Sequence, residues 1–295
     1  MRLEKIITLA NQKVELRLLA MERSLRATGC HLPLWVIPYD GHRFDLPPNA
    51  IWWEMPEVRR LLQENRSHPM MAKYQCFTTA NYQYVDSDVA FLRNPEEVLA
   101  NEDGFITSCG HWGNPEHTYT FDSLKILKQI SSNWQTRVFN AGQFACDRAL
   151  YTFEQLRNQC CDSRYIDTCL RFRFHDQPGT VLLVNLSGVR IYNLTLPPAC
   201  MESTWAGSYL DDNFAAYWQD KQRKPYLLHW AGCDVTNPRP IDQLFTCYLT
   251  EDERRRWDQE VAEKLTRQTR NQRSWKTKLR KLMAASQAFI AELRK

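Results

Sequence analysis

The chain lacks the features of membrane proteins, zinc proteins and disulfide-rich secreted domains. No stretch of its 295 residues approaches the roughly 20 apolar residues of a membrane span, and Met1 leads almost directly into a predicted strand, so we expect no signal peptide. Its 10 cysteines form no Cys-x-x-Cys pair and match no zinc or disulfide framework. Most lie in apolar contexts, which is typical of buried thiols in a reducing compartment. These absences favour a cytoplasmic protein.

The net charge of +4 is unevenly distributed. Residues 251–295 contain 13 Lys/Arg against 7 Asp/Glu, and residues 264–281 contain eight basic residues and no acidic one. Such a run is most often a solvated helical face, although it also suits anionic lipid headgroups. Nucleic acid is disfavoured because aromatic residues are sparse there and no nucleic-acid-binding motif is present. We predict one domain over residues 1–250 and a basic helical extension over 251–295, with 264–281 as a peripheral contact to the inner face of a membrane.

The order of the predicted elements indicates a parallel sheet. A strand over 5–10, a helix over 14–28 and a strand over 34–38 form a βαβ unit, in which the two strands run parallel. A mostly helical segment over 55–80, interrupted at Pro69, is expected next. The predicted fold class is therefore α/β, a Rossmann-like, mostly parallel central sheet flanked by helices. Further strands are predicted over 50–53, 82–91, 104–109, 180–185, 189–192 and 225–232.

Two carboxylates, Asp86 and Asp88, stand one residue apart in an otherwise apolar run. In an extended strand they would point to the same face, where burial is costly unless a cation compensates. Mn²⁺ or Mg²⁺ is the usual compensation because these ions prefer oxygen ligands. The alternative is a solvated strand end, since Asp-x-Asp occurs by chance in many proteins. The choice between a metal site and a solvated strand end therefore depends on the other motifs of the chain.

Three further motifs follow the Asp pair in order: Phe139-Asn140-Ala141-Gly142, Asp176-Gln177, and His229-Trp230-Ala231-Gly232. Over about residues 5–240 this series resembles the GT-A nucleotide-sugar glycosyltransferases, specifically family 8, the glycogenin and bacterial galactosyltransferase group. The resemblance implies a metal-dependent hexosyltransferase that uses Mn²⁺ or Mg²⁺. It would move a sugar from a nucleoside diphosphate, with UDP expected, to a carbohydrate or lipid-linked acceptor. The anomeric configuration would be retained.

The resemblance also assigns the donor site. Asp86, Asp88 and His229 would ligate the metal, and Asp86 would also lie near the ribose. Asn11 and Asp40, at the predicted ends of the first two strands, would contact the nucleotide, since ligands collect at the carboxyl ends of such sheets. For His229 the alternative is a hydrogen-bonded core histidine. For Asp40 it is a turn-capping residue.

The sugar pocket is assigned in the same way. Asn140 and Gly142 would line it, because glycine permits close backbone approach and the amide supplies a donor and an acceptor. Asp176 would accept sugar hydroxyls, and Gln177 would steady an oxocarbenium-like centre. The alternatives are a strand-to-helix turn at 140–142 and a capped helix start at 176–177.

One departure from the family concerns the residues after Gly232, itself a predicted contact of the nucleotide sugar. The family places a diphosphate-binding Lys there, whereas this chain continues Cys233-Asp234-Val235-Thr236-Asn237-Pro238-Arg239. Arg239 is the candidate replacement, at longer spacing. The missing Lys leaves open a non-catalytic nucleotide-sugar-binding protein. A nucleotidyltransferase is a second alternative, although the usual glycine-rich loop after the first strand is absent.

Overall fold

The computed structural model describes residues 1–162, 176–220 and 222–292. Contacts between residues divide the chain into two compact units. The first joins Met1–Cys233 to Arg239–Tyr248, and the second joins Asp234–Pro238 to the chain from Leu249 onward. All the motifs of the predicted active site, from Asn11 to Gly232, fall in the first unit.

The first unit is built on two β-sheets. The larger sheet has seven strands in the order β3-β2-β1-β4-β7-β6-β8, and the smaller pairs β5 with β9. Among the described strands of the larger sheet, β7 alone runs antiparallel to its neighbours. The prediction of an α/β fold with a mostly parallel sheet is therefore confirmed. The strands are β1 (Lys5–Ala10), β2 (Leu34–Pro38), β3 (Ala50–Trp52), β4 (Tyr82–Val85), β5 (Val89–Phe91), β6 (Phe105–Thr107), β7 (Gln143–Cys146), β8 (Ile191–Asn193) and β9 (Leu227–His229).

Helices connect these strands and cover both faces of the larger sheet. The α-helices among the described residues are α1 (Glu15–Ala27), α2 (Pro56–Glu64), α3 (Pro95–Val98), α4 (Phe121–Ile130), α5 (Phe153–Cys161), α6 (Gln177–Leu186), α7 (Gln243–Thr246) and α8 (Glu251–Glu292). Short 3₁₀ helices span Gln12–Val14, Pro69–Thr78, Gly110–Trp112, Pro115–His117, Trp134–Arg137, Ala206–Ser208, Phe214–Trp218 and Pro240–Asp242.

The core has two apolar clusters because successive side chains of a strand face opposite sides of the sheet. In β1, Ile7 belongs to one cluster and Ile6 to the other. The ring of Phe144 on β7 stacks on Tyr84 at 5.0 Å and on Phe105 at 5.1 Å between ring centroids. This packing fixes the end of β4 from which the Asp pair follows.

Two predicted elements were wrong. The strand over 82–91 is two strands, β4 and β5, which belong to different sheets. The strand over 180–185 lies inside the helix α6. The segment 55–80 is mostly helical, as predicted, with α2 ending at Glu64 and a separate 3₁₀ helix beginning at Pro69.

In the second unit, α8 runs for 42 residues and includes the basic stretch 264–281. Its start is a reciprocal cap: the Thr250 amide donates to Glu253 Oε2 (2.8 Å), and the Glu253 amide donates to Thr250 Oγ1 (3.3 Å). Among the described residues, no helix combines the length and the apolar character that crossing a bilayer requires. Contact of 264–281 with a membrane surface stays a prediction.

Candidate active site

The Asp pair lies where the chain passes from one sheet to the other. β4 ends at Val85, and β5 begins at Val89, which pairs directly with His229 on β9. The Trp230 amide donates to the Asp88 carbonyl oxygen at 2.9 Å. The two carboxylates thus lie beside His229 because of this crossing, and not because they alternate along one strand, as the sequence had suggested.

Asp86, Asp88 and His229 form a compact group of metal-ligand atoms. His229 Nε2 lies 3.2 Å from Asp88 Oδ1 and 3.8 Å from Asp86 Oδ2. One ligand atom from each residue can be chosen so that all lie within 4.8 Å of one another. Ligands of an octahedral ion at about 2.1 Å are separated by about 3 to 4 Å, so the spacing and the donor types fit Mn²⁺ or Mg²⁺.

The charges of this group favour the ionised carboxylate. Burial raises the pKa of Asp88, but the His229 imidazole and the Arg17 guanidinium outweigh burial and lower that pKa to about 2. Burial lowers the pKa of His229, but Asp88 and Asp86 outweigh it and raise that pKa above its ordinary value. The imidazolium form of His229 and the ionised forms of Asp88 and Asp86 therefore stabilise each other.

Gly142 has no side chain, and the side-chain atoms of the metal-ligand group fill the space that a side chain would take. A Cβ atom built on Gly142 would lie 2.5 Å from Asp86 Oδ2, 2.9 Å from Asn140 Oδ1, and closer still to His229 Cε1. The backbone also holds the group, since the Asp86 amide donates to the Gly142 carbonyl oxygen at 2.7 Å. The Gly142 amide in turn donates to Asn140 Oδ1 at 2.7 Å. Any side chain at this position would displace the ligand atoms.

A fully buried lysine, Lys73, supports the Asp86 side of the group. Its Nζ lies 3.3 Å from Asp86 Oδ1 and 2.5 Å from Asp176 Oδ2, and it donates to the Ala141 carbonyl oxygen at 3.1 Å. Burial lowers the pKa of Lys73, but the carboxylates of Asp176 and Asp86 outweigh it and raise that pKa above its usual range. Tyr84 Oη also donates to Asp86 Oδ1, at 2.7 Å. Lys73 therefore links the Asp-x-Asp, Asn-Ala-Gly and Asp-Gln motifs.

Lys73 was missed by the sequence analysis. It lies in the 3₁₀ helix Pro69–Thr78, in the segment that the apolar pattern predicted as helix. The available signal was a single charge within the apolar run Met70-Met71-Ala72-Lys73-Tyr74. A buried lysine is rare unless it is paired, so such a residue predicts carboxylate partners without naming them.

A cleft of about 370 Å³ lies on one side of the Asp pair, and we refer to it as the Asp88 cleft. It brings Asn11 and Asp40 to the same space as the Asp pair: Asn11 Nδ2 donates to Asp40 Oδ2 at 2.7 Å. Burial raises the pKa of Asp40, but hydrogen bonds from Asn11 and His42 outweigh it and lower that pKa. The cleft is lined by Leu9, Ala10, Asn11, Lys13, Val14, Arg17, Tyr39, Asp40, Met70, Asp86, Ser87 and Asp88.

A second cavity of about 570 Å³ lies next to the metal-ligand group on the side of His229, and we refer to it as the Trp205 pocket. The Trp205 indole is 50% exposed and is held by a hydrogen bond from Nε1 to the Ala231 carbonyl oxygen at 2.9 Å. It therefore presents a fixed aromatic surface to solvent. The pocket is lined by Cys109, Gly110, His111, Asn114, His117, Asn140, Gln143, Ser203, Thr204, Trp205, Ser208, His229, Ala231 and Gly232.

The predicted pair Asp176-Gln177 lies at the start of α6. Asp176 is buried against Lys73, and its side chain does not cap the helix. Gln177 bridges two loops: Oε1 accepts from the Ala141 amide at 3.4 Å, and Nε2 donates to the His117 carbonyl oxygen at 2.9 Å. The pair is thus connected to the Asn-Ala-Gly motif, and the capped-helix alternative does not describe Asp176.

Comparisons with known proteins bear on the fold. No protein-family model and no curated protein sequence matches the chain. Among solved structures, the galactosyltransferase LgtC with donor and acceptor sugar analogs matches at 13% identity and a TM-score of 0.51, over 85% of this chain and 99% of LgtC. An active-site mutant of LgtC gives a TM-score of 0.52 at 11% identity, with the same coverage. The apo structure of the bifunctional glycosyltransferase WbbM gives 0.51 at 11% identity, over 89% of this chain and 51% of WbbM. The chain has the GT-A fold.

Two predicted donor contacts can now be placed in the GT-A fold. Gly232 lines the Trp205 pocket with a positive φ of 67°, a conformation that glycine adopts without strain. Arg239 lines neither cavity among the described residues. Its guanidinium contacts Asp242 Oδ1 at 3.1 Å and the Ala206 carbonyl oxygen at 3.3 Å. Binding of a diphosphate by Arg239 would require these contacts to be exchanged.

Proposed function

We propose that the chain is a metal-dependent glycosyltransferase that moves a sugar from a nucleoside diphosphate, with UDP as the proposed nucleotide, to a carbohydrate or lipid-linked acceptor. The observation that carries the proposal is the position of Asp86, Asp88 and His229 between two cavities. The Asp88 cleft offers a place for the nucleotide, and the Trp205 pocket offers a place for the sugars. LgtC, which shares the fold, binds donor and acceptor sugar analogs.

The divalent ion that this group would hold supplies Lewis-acid stabilisation of the departing diphosphate, without proton transfer. The chain's own residues do the positioning. Asn11 orients the Asp40 carboxylate at the nucleoside end, and Lys73 fixes the orientation of Asp86. Asp86 remains 22% exposed, so one side of its carboxylate is available to a ligand while the other is held by Lys73 and Tyr84.

The transferred sugar would lie against the Asn140–Gly142 turn and Gln177. Asn140 Oδ1 is already occupied by the Gly142 amide, which leaves its amide nitrogen to donate to a hydroxyl. The side-chain oxygen of Gln177, Oε1, makes only a long contact of 3.4 Å with the Ala141 amide, so the side chain can turn Oε1 toward a developing positive charge. Retention of the anomeric configuration is part of the proposal.

Thermal unfolding with a panel of UDP-, GDP-, CMP- and ADP-sugars, each with and without Mn²⁺, tests the proposal. We expect one nucleotide to raise the unfolding temperature only when Mn²⁺ is present, because the metal and the diphosphate share ligands. Donor consumption is then followed with that nucleotide sugar. Metal-dependent binding without consumption in the presence of candidate acceptors would favour the non-catalytic alternative, and no response to any nucleotide would refute the proposal.

A further inference from the structure

Arg17 is a cation that the sequence analysis did not assign. It lies in the first turn of α1, its side chain is 33% exposed, and it lines the Asp88 cleft. One guanidinium nitrogen lies 3.9 Å from Asp88 Oδ2. Arg17 therefore stands at the metal-ligand end of the cleft, whereas Asn11 and Asp40 mark its other end.

The negative charge of a diphosphate bound at this end of the Asp88 cleft would favour a cation among the residues that line the cleft. His229 and Lys73 already balance part of the charge of Asp86 and Asp88, but a bound diphosphate would add further negative charge beside them. Lys73 is buried against Asp86, Asp176 and the Ala141 carbonyl oxygen. Lys73 therefore balances the carboxylates and does not face a ligand in the cleft.

Arg239, the replacement predicted for the missing Lys, is paired with Asp242 and lines neither cavity. Among the described residues that line the Asp88 cleft, the cationic side chains are those of Lys13 and Arg17. Lys13 is exposed in the short 3₁₀ helix before α1, whereas Arg17 is half-buried and next to Asp88. Of the two, Arg17 is the better placed for phosphates that share the metal with Asp88.

We propose that Arg17 is the phosphate-binding cation of the Asp88 cleft and takes the role of the Lys that is absent after Gly232. Its planar guanidinium can donate two parallel hydrogen bonds to phosphate oxygens while remaining near Asp88. The inference rests on the proposed function, because it concerns the diphosphate of the same donor.

Isothermal titration calorimetry on the full chain, at a fixed saturating concentration of Mn²⁺, tests this role. The probes are the nucleoside diphosphate selected by the thermal-unfolding panel and the corresponding nucleoside. We expect Arg17→Gln to lower the affinity for the diphosphate about 10- to 100-fold, since a charge-assisted hydrogen bond is lost, and to leave the nucleoside affinity unchanged. Arg17→Lys should recover part of the loss. Arg60→Gln, at an exposed arginine of α2 outside the cleft, is the matched control and should bind as the wild type does.

Three outcomes would overturn the role. Equal diphosphate affinity for Arg17→Gln and the wild type removes Arg17 as a phosphate ligand. Equal losses for the diphosphate and the nucleoside show that Arg17 maintains the shape of the cleft. In a separate titration with Mn²⁺ alone, tighter binding by Arg17→Gln together with an unchanged diphosphate affinity would show that Arg17 serves only as the counterion of Asp88. If the wild type binds no diphosphate, the proposed function itself fails, and the role of Arg17 falls with it.

Discussion

Replacement of Lys73 by methionine tests the interpretation that one buried ammonium holds three motifs together. Methionine keeps much of the volume but leaves the Asp86 and Asp176 carboxylates without their cation. Removing one partner of a buried ion pair costs about 3 to 5 kcal/mol. We expect about 3 kcal/mol, the lower end, because Asp86 and Asp176 side chains are 22% and 12% exposed and can regain some hydration.

The assay is urea unfolding followed by the fluorescence of the 10 tryptophans. Lys125→Met is the matched control, since the Lys125–Asp122 pair is 62% and 61% exposed and should contribute less than about 1 kcal/mol. Adding Asp176→Asn to Lys73→Met should restore part of the stability by removing one uncompensated charge. A loss for Lys73→Met no larger than that for Lys125→Met would refute the reasoning.

Three further predictions concern the cavities. Gly142→Ala should weaken Mn²⁺ binding, measured by calorimetry, because the new Cβ would lie 2.5 Å from Asp86 Oδ2. Gly110→Ala is the control and should bind Mn²⁺ as the wild type does, since nothing lies within 4 Å of its Cβ. Equal Mn²⁺ affinities in the two variants would contradict the role of Gly142. Trp205→Ala should raise the KM for the acceptor and leave nucleotide binding unchanged, because the exposed indole of Trp205 offers a stacking surface for a sugar ring. An unchanged KM for the acceptor would show that Trp205 does not bind it. The third prediction is that His111 makes the fold less stable in acid. Burial lowers the pKa of His111 to about 4, with smaller contributions from the nearby His117 and His229. The unfolded chain binds this proton below about pH 6.5 and the folded chain only below about pH 4, so stability falls by up to about 3 kcal/mol across that window. His111→Gln should flatten the dependence of unfolding free energy on pH there, and an unchanged slope would show that His111 is not responsible.

The sequence predicted well what depends on short-range patterns. The βαβ unit at the start follows from the apolar spacing of residues 14–28 between two short apolar strands, and the structure has β1, α1 and β2 there. The order of the four motifs also identified residues that the fold brings together, since Asp86, Asp88 and His229 meet across 143 residues of chain.

Predictions failed where burial removed the periodic signal. Val181-Leu182-Leu183-Val184 is buried on every side, so neither a period of two nor one of 3.6 residues distinguishes strand from helix there. The break after Val85 was missed for a related reason. β4 and β5 are both fully buried, and only pairing with β9 shows that the chain has changed sheets.

The contacts of Lys73 and Arg17 were missed because their partners are distant in sequence. Asp176 follows Lys73 by 103 residues, and Asp88 follows Arg17 by 71. No local pattern specifies such pairs. Arg239 is paired with Asp242, a contact that the motif did not indicate, and its role as a phosphate ligand stays a prediction.

The most direct test of the central claim is release of nucleoside diphosphate from the donor by Asp88→Ala in the presence of Mn²⁺. Asp88 combines a pKa near 2 with a place in the metal-ligand group, so its loss should abolish metal-dependent release. A thermal unfolding curve close to that of the wild type would show that the variant is folded. Undiminished Mn²⁺-dependent release by folded Asp88→Ala would contradict the proposed metal site.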